Sequence, residues 1–426
     1  MQQSAINHKR ISRNPAVLIS VMQEDAETMN AQILDQSRLN VIEKRRSNIF
    51  NWRGQFTPQF IEYLLDVFAA PGQYVIDPFC GSGTVLLEAA LKNLPAAGCE
   101  INPAAYAMAK FMALSNLPSS ARIDTFERVQ NVVLRLSGTY HDMPLFETHD
   151  DFRQRYKNLL EFAKDLFAAV DNKRETLLAL VVLMRAESCG RGDLISAIRK
   201  ACVTVKEDLL GLPNSKTPIE VELCDARLTH CRFRAIGELI ITSPPYINVF
   251  NYHQNYRAIL EVLGIDLLKV AESEIGSNRK NRANRFRTVI QYTLDMEQCL
   301  ASFALTLKRH GTLILVVGHQ SNIRGIPFSN SSILRDLAAS LRCFESEGER
   351  HRVFTNRFGQ AIREDIILLR NRGTEPSIGS AHSISEKHLK NALNIATGDP
   401  RNDIFNALSE LPAIKQSPLF SKKGII

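Results

Sequence analysis

Several features are missing from this chain, and each absence removes a class of protein. No apolar run approaches the ~18 residues that a membrane span needs. The opening stretch, MQQSAINHKRISRNPAVLISVMQEDAE, has too short an apolar segment for a secretory signal, and acids follow it at once. The 8 cysteines are scattered, with no C-x-x-C pair and no companion histidines at zinc spacing. That pattern offers neither a metal site nor a disulfide framework and reads as reduced thiols in a cytoplasmic protein. No glycine-rich turn ends in G-K-[ST], so the phosphate-cradling loop of ATP hydrolases is absent. There is no internal repeat.

What remains is ordinary in bulk. The 426 residues suffice for one large domain with insertions or two modest ones. With 45% hydrophobic and 23% charged residues, a sizeable core can be buried. The formal net charge of +7 favours a polyanionic partner such as nucleic acid.

Periodicity divides the chain. Residues 1–50 are a polar N-terminal extension. Thr57-Pro58 predicts a helix start, and Phe60, Leu64, Val67 and Phe68 continue it at helical spacing. From QYVIDPFCGSGTVLLEA through GCEINPAAYAMAK the pattern is strand, glycine-rich loop, helix, strand, loop, helix, the opening of a parallel α/β sheet. Residues 115–215 break the alternation and predict a mostly helical insertion. In it Phe152, Tyr156, Leu159, Ala163, Leu166 and Val170 share one helical face, and ETLLALVVLMRA is apolar nearly all round. Strand patterns resume at residues 219–227, 238–246, 311–319 and 364–371, the last in an antiparallel edge hairpin turning near Gly359. The predicted fold is therefore α/β, a mostly parallel Rossmann-like sheet with an antiparallel edge. Its core comprises residues 51–114 and 216–371, and residues 372–426 form an appendage.

Three acids stand at predicted strand ends. Asp77 closes VIDPFCGSGT, where Gly81 and Gly83 let a ligand approach the backbone before the helix from Thr84. A carboxylate there repels phosphate and attracts an ammonium or sulfonium centre. Glu100 follows 23 positions later, the spacing at which an acid accepts hydrogen bonds from ribose hydroxyls. Asp225, in ELCDARL, stands where an adenine ring could be read. Together they describe a pocket for an adenosine-bearing cation, S-adenosylmethionine. Farther on, Ser243-Pro244-Pro245-Tyr246 is a stiff turn that can neither continue its strand nor begin an ordinary helix turn.

DPFCGSGT followed by TSPPY resembles the S-adenosylmethionine-dependent amino-methyltransferases of restriction–modification systems, over roughly residues 45–371 without the insertion. The resemblance implies a class I methyltransferase fold, a double-stranded DNA substrate and a cognate endonuclease acting on the same site. It gives the methionine end of the cofactor to Asp77, Pro78, Phe79, Gly81, Ser82, Gly83 and Thr84, and the ribose to Glu100, with Asn102 beside it. It adds cofactor contacts at Gln55, Phe56 and Thr57, and makes Ser243, Pro244, Pro245 and Tyr246 the catalytic tetrapeptide. Acceptors at Ser243 Oγ and the Pro244 carbonyl would bind the hydrogens of a flipped base's amine, and Tyr246 would stack on that base. Ser at the first position is associated in the family with cytosine N4, and Asp or Asn with adenine N6. A serine hydroxyl forbids neither. Cytosine C5 chemistry needs a cysteine nucleophile, usually after proline, and no Pro-Cys dipeptide exists here. A guanosine-N2 RNA methyltransferase shares the glycine loop but usually shows Asp-Pro-Pro-Tyr.

Two segments are open as the DNA reader. One is the helical insertion. The other is the basic loop SNRKNRANRFR, whose Arg279, Lys280, Arg282, Arg285 and Arg287 could neutralise phosphates or read guanines. Tyr252, His253 and Tyr256 either line the base pocket or pack a following helix.

Overall fold

In a computed structural model of the chain, the described residues are 34–42, 44–140, 149–188, 193–247, 252–277, 281–355 and 359–421. The strands are β1 (Val75–Asp77), β2 (Ala96–Glu100), β3 (Ile219–Leu223), β4 (Gly237–Thr242), β5 (Leu307–Gly318), β6 (Gln320–Ile323), β7 (Ile326–Ser329), β8 (Phe344–Thr355) and β9 (Ala361–Asn371). Seven of them form one sheet in the order β3-β2-β1-β4-β5-β9-β8, and β6 and β7 make a separate hairpin. The first five are parallel, while β9 runs antiparallel between β5 and β8. This is a Rossmann-like sheet with an antiparallel edge hairpin. The chain leaves β1 for β2 on one side and returns to β4 on the other, so the strand order reverses between β1 and β4. The crevice at the carboxyl ends of those strands is where open α/β sheets bind ligands.

The helices are α1 (Gln36–Asn40), α2 (Pro58–Phe68), α3 (Thr84–Leu91), α4 (Pro103–Ala113), α5 (Ser119–Ser137), α6 (His149–Ala169), α7 (Lys173–Ser188), α8 (Leu194–Gly211), α9 (Arg257–Val262), α10 (Leu267–Ser273), α11 (Arg287–Thr306), α12 (Asn330–Leu341), α13 (Ala381–Leu393) and α14 (Gly398–Ser409). Proline at the first position opens both α2 and α4, where its missing N–H has no partner to lose. Alternation along the strands sorts the two faces. Ile76, Ile240, Leu313 and Val317 pack with α11, α12 and α13, whereas Val75, Leu239, Ile241 and Val316 pack with α2 and α3.

Helices α5 to α8 share a core of their own with α4, around Phe111, Phe126, Phe162, Leu166 and Leu183, all fully buried. Of the face expected on α6, Leu159, Ala163 and Leu166 are buried, whereas Tyr156 is 37% exposed. The residues after 372 do not hang free of the core. Ala381, Ile384, Leu389 and Ile404 join the apolar cluster of α11 and α12, and the chain then returns to the residues that follow β3. No described helix is long and apolar enough to cross a membrane.

That return run is held by buried charge. Arg227 donates to Asp225 from Nε (2.9 Å) and Nη2 (2.7 Å), to Asp295 (2.8 Å), and to the carbonyls of Ser417 (2.7 Å) and Pro418 (2.8 Å). The amides of Ser417 and Phe420 donate back to Asp295 and Asp225, at 2.8 and 3.0 Å. All three charged side chains are buried, so removing one leaves its partners uncompensated in a medium that solvates charge poorly. Arg227→Leu is expected to destabilise the protein by about 3–5 kcal/mol, measured as a lowered urea midpoint. An unchanged midpoint would show the network to be dispensable.

Candidate active site

Strand β1 ends in Asp77, and the chain then turns through residues 78–83 into α3. Gly81 and Gly83 both have positive φ, 50° and 85°. A Cβ at Gly83 would lie 3.0 Å from the Ala109 backbone, so glycine lets α3 start tight against α4. The Cys80 amide donates to the Cys99 carbonyl (3.0 Å), stitching the loop to β2. The Cys80 side chain fills the space over Gly98, where a Cβ would meet it at 2.8 Å. Segment 48–57 clamps the loop from outside. Ser82 donates to the Gln55 side chain (2.7 Å), which itself donates to the Phe50 carbonyl (2.8 Å). Thr84 donates to Asn48 (3.1 Å), which donates to the Phe56 carbonyl (2.9 Å).

Asp77 is buried, yet its partners are few. The Thr242 hydroxyl donates to it at 2.6 Å and the Phe79 amide at 3.1 Å. Burial, reinforced by nearby Glu100 and opposed by these two hydrogen bonds, pushes its carboxyl up to about 7. Glu100 accepts from the amides of Asn102 (2.8 Å) and Gly81 (2.9 Å). Burial likewise raises it to about 7 against those hydrogen bonds, with Glu274 adding repulsion. Asn102 caps α4 through its Oδ1, while its Nδ2, buried at the cleft wall, has no partner.

Thr242 ends β4, beside β1, and the Ser243-Pro244-Pro245-Tyr246 turn follows it. Two glycines make room for Tyr246. A Cβ at Gly318 would lie 2.8 Å from the ring, and one at Gly276 would lie 2.3 Å from the Tyr246 carbonyl oxygen. The Tyr246 hydroxyl donates to Glu364 (3.3 Å), whose other oxygen takes Arg352 at 2.7 Å. Arg352 in turn lies over the Phe60 ring, 3.8 Å from its centroid. Burial holds the Tyr246 hydroxyl well above its ordinary range, with Glu364 acting in the same direction, so it stays protonated.

These pieces line one open cleft, with about 1070 Å³ of empty space when its mouth is included. Gln55, Phe56, Asp77, Pro78, Phe79, Gly81, Ser82, Thr84, Glu100, Asn102, Asp225 and the four residues of the turn all border it. Thr57 and Gly83 do not; they set the starts of α2 and α3. Asp225 differs from expectation in its chemistry. Its carboxylate is held by Arg227 and the Phe420 amide, which gives it a structural role in place of free adenine recognition. Arg287 opens α11, and its guanidinium pairs with Glu410 at 2.6 Å. Arg282 and Arg285 are exposed, and Arg279 and Lys280 lie outside the described residues. Among the described residues no His, Cys, Asp or Glu group could hold a metal.

Sequence reasoning offered Tyr252 as a pocket residue but missed the tryptophan beside it. Trp52, the chain's 1 tryptophan, borders the cleft and stacks on Tyr252, ring centroids 5.8 Å apart and 23° between planes. Tyr252 thus lies at the cleft, while Tyr256 turns to Ser188 on α7, its hydroxyl 3.3 Å away. Ser273, Glu274 and Ile275 also border the cleft, and no local motif announced them. The nearest signal was the lone tryptophan just before the glycine loop.

The residues present fit S-adenosylmethionine. Two carboxylates face a space suited to a cation, Glu100 retains lone pairs beyond its two amide donors, and Asn102 offers an orphaned donor. Comparison with known proteins agrees in kind. A family model described as DNA methylase matches residues 2–111, and one described as RMKL-like, methyltransferase domain, matches residues 68–206. The Type II methyltransferase M.BsoBI of Geobacillus stearothermophilus is 24% identical over 304 residues, covering 58% of this chain and 58% of that protein. The Type II methyltransferase M.MjaII of Methanocaldococcus jannaschii is 37% identical over 60 residues, 14% of this chain and 11% of its own. The chain thus spans less than two thirds of either relative. Among solved structures, a SAM-dependent methyltransferase from Methanosarcina mazei aligns with TM-score 0.32 and 11% identity, over 72% of this chain and 96% of that one. The fold assignment rests on the strand order itself. Residues 2–111 are thus similar to the DNA methylase family and residues 68–206 to the RMKL-like methyltransferase domain, each over less than half of the chain.

Proposed function

We propose that this protein methylates the exocyclic N4 of cytosine in double-stranded DNA, on a base flipped into the cleft. We further propose that it serves as the modification enzyme beside an endonuclease of the same site. The observation that carries this reading is the joining of Asp77 and Glu100 to the Ser243-Pro244-Pro245-Tyr246 turn around one cleft, at the reversal of strand order. When bound, S-adenosylmethionine supplies an electrophilic methyl on a sulfonium. The chain's own residues do the rest. Asp77 and Glu100 provide the negative field that a sulfonium and ammonium require, and Glu100 has acceptor capacity for ribose hydroxyls.

An exocyclic amine is a poor nucleophile because its lone pair is delocalised into the ring. Ser243 Oγ and the Pro244 carbonyl are acceptors for its two hydrogens, which favours the pyramidal nitrogen that attacks. Their effect is alignment and stabilisation of the transition state, without a covalent enzyme intermediate. The prolines keep these acceptors from relaxing as charge develops. Tyr246, protonated and anchored at its hydroxyl, offers an aromatic face to a flipped base.

Ser243→Ala and Tyr246→Ala are each expected to lower methyl transfer by about 10²-fold. Cofactor affinity, read from Trp52 fluorescence, should stay within threefold. Equal loss of transfer and affinity would make the turn merely structural. Methylome sequencing of a host expressing the chain should show N4-methylcytosine; N6-methyladenine would reassign the base, and an unmodified genome with methylated RNA would reassign the substrate. The second prediction concerns pH. Carboxyls raised to about 7 must be ionised to hold a cation. S-adenosylmethionine affinity should therefore rise about tenfold from pH 6 to pH 8, and Asp77→Asn should flatten the rise. A flat wild-type profile would remove Asp77 and Glu100 from cation binding.

A further inference from the structure

Resting on the function proposed above, we infer that Asn330 is a positioning residue for the Ser243-Pro244-Pro245-Tyr246 turn. It lies at the start of α12, far from the motifs in sequence, and is fully buried. Its Oδ1 accepts the Ile247 amide (3.3 Å), the residue directly after Tyr246, and also the Ser321 hydroxyl (3.2 Å). Its Nδ2 donates to the Gly318 carbonyl (2.9 Å) and to Ser321 Oγ (3.1 Å). The orientation of the amide is not arbitrary: a backbone N–H can only donate and a carbonyl can only accept, so the two main-chain partners fix which end is which.

Gly318 is also the residue at which a Cβ would strike the Tyr246 ring, 2.8 Å away. The carboxamide thus closes a loop of contacts, from the Tyr246 ring to Gly318, through Asn330, to the Ile247 amide and back along the chain to Tyr246. A one-residue slip of the turn would break the Ile247 bond and lift the ring off Gly318. The helix itself has no need of asparagine here. Ser329 is its N-cap, accepting from the Ser332 amide at 3.2 Å, and the position after a cap accepts most residues. Burial of an amide that the helix does not require points to the partners it reaches. Without it, the Ile247 amide, on a buried residue, would lose its partner, a cost that favours movement of the turn.

The test uses the full-length protein with Asn330→Ala and, as a control, Ser329→Ala. The control weakens the same helix but leaves all the Asn330 bonds in place. Amide hydrogen exchange is followed in the peptide spanning Tyr246 and Ile247. Single-turnover transfer from labelled S-adenosylmethionine to unmethylated genomic DNA is measured alongside it. Affinity for S-adenosylhomocysteine is read from Trp52 fluorescence. Asn330→Ala should raise exchange in that peptide at least tenfold and lower the transfer rate about 10²-fold, the scale of a 1 Å misplacement. Affinity should change by less than threefold. Ser329→Ala should lower Tm while sparing both the peptide and the rate. Unchanged exchange in Asn330→Ala overturns the inference, and so does a rate loss that merely follows Tm as it does in Ser329→Ala. If the wild-type protein transfers no methyl to DNA, the proposed function falls. The exchange arm then decides by itself whether Asn330 holds the turn.

Discussion

The site depends on one short hydrogen bond across adjacent parallel strands. Thr242, the last residue of β4, donates to Asp77, the last residue of β1. These paired strands flank the point where the sheet order reverses. From Asp77 the chain enters the glycine loop, and from Thr242 it enters the Ser-Pro-Pro-Tyr turn. The Thr242 hydroxyl also lies 3.3 Å from the Phe79 amide. A single buried hydroxyl therefore joins the glycine-loop wall of the cleft to the wall made by the Ser-Pro-Pro-Tyr turn.

Around that bond the structure trades solvation for order. Asp77 and Glu100 are held in a place that disfavours their charge, which leaves them ready for a positive ligand. The opposite treatment is given to Asp225, which stands at the next strand end and has an arginine and a backbone amide of its own. One acid is left under-solvated at the cleft, and another is saturated where the tail is anchored. The same chemical group is treated in opposite ways, and the difference lies in its neighbours.

The turn is made rigid twice over. Its prolines limit the backbone torsions, and its surroundings remove the remaining freedom. Glycines at 276 and 318 admit Tyr246 closely, Glu364 takes its hydroxyl, and Asn330 takes the next amide. For the function proposed here, rigid acceptors matter because they need no reorganisation when the amine nitrogen pyramidalises.

Local chemistry along the sequence determined a good deal. Apolar runs ending in Asp77, Glu100 and Thr242 marked strands, glycine spacing marked the loop, and Thr57-Pro58 marked the start of α2. Each of these is dictated within a few residues, by backbone torsion limits and side-chain alternation. The β6–β7 hairpin left no such mark, and neither did the integration of residues after 372 into the main core. Which acids are free was also beyond local reading: Asp77 and Asp225 look alike in sequence, and only the approach of Arg227 and Phe420 separates them. The stacking of Trp52 on Tyr252 and the reach of Asn330 to Ile247 span 200 and 83 positions, respectively. Pairings of that kind are set by the packing of whole layers, because side-chain partners across a sheet are chosen by proximity after folding and leave no periodic trace in the chain.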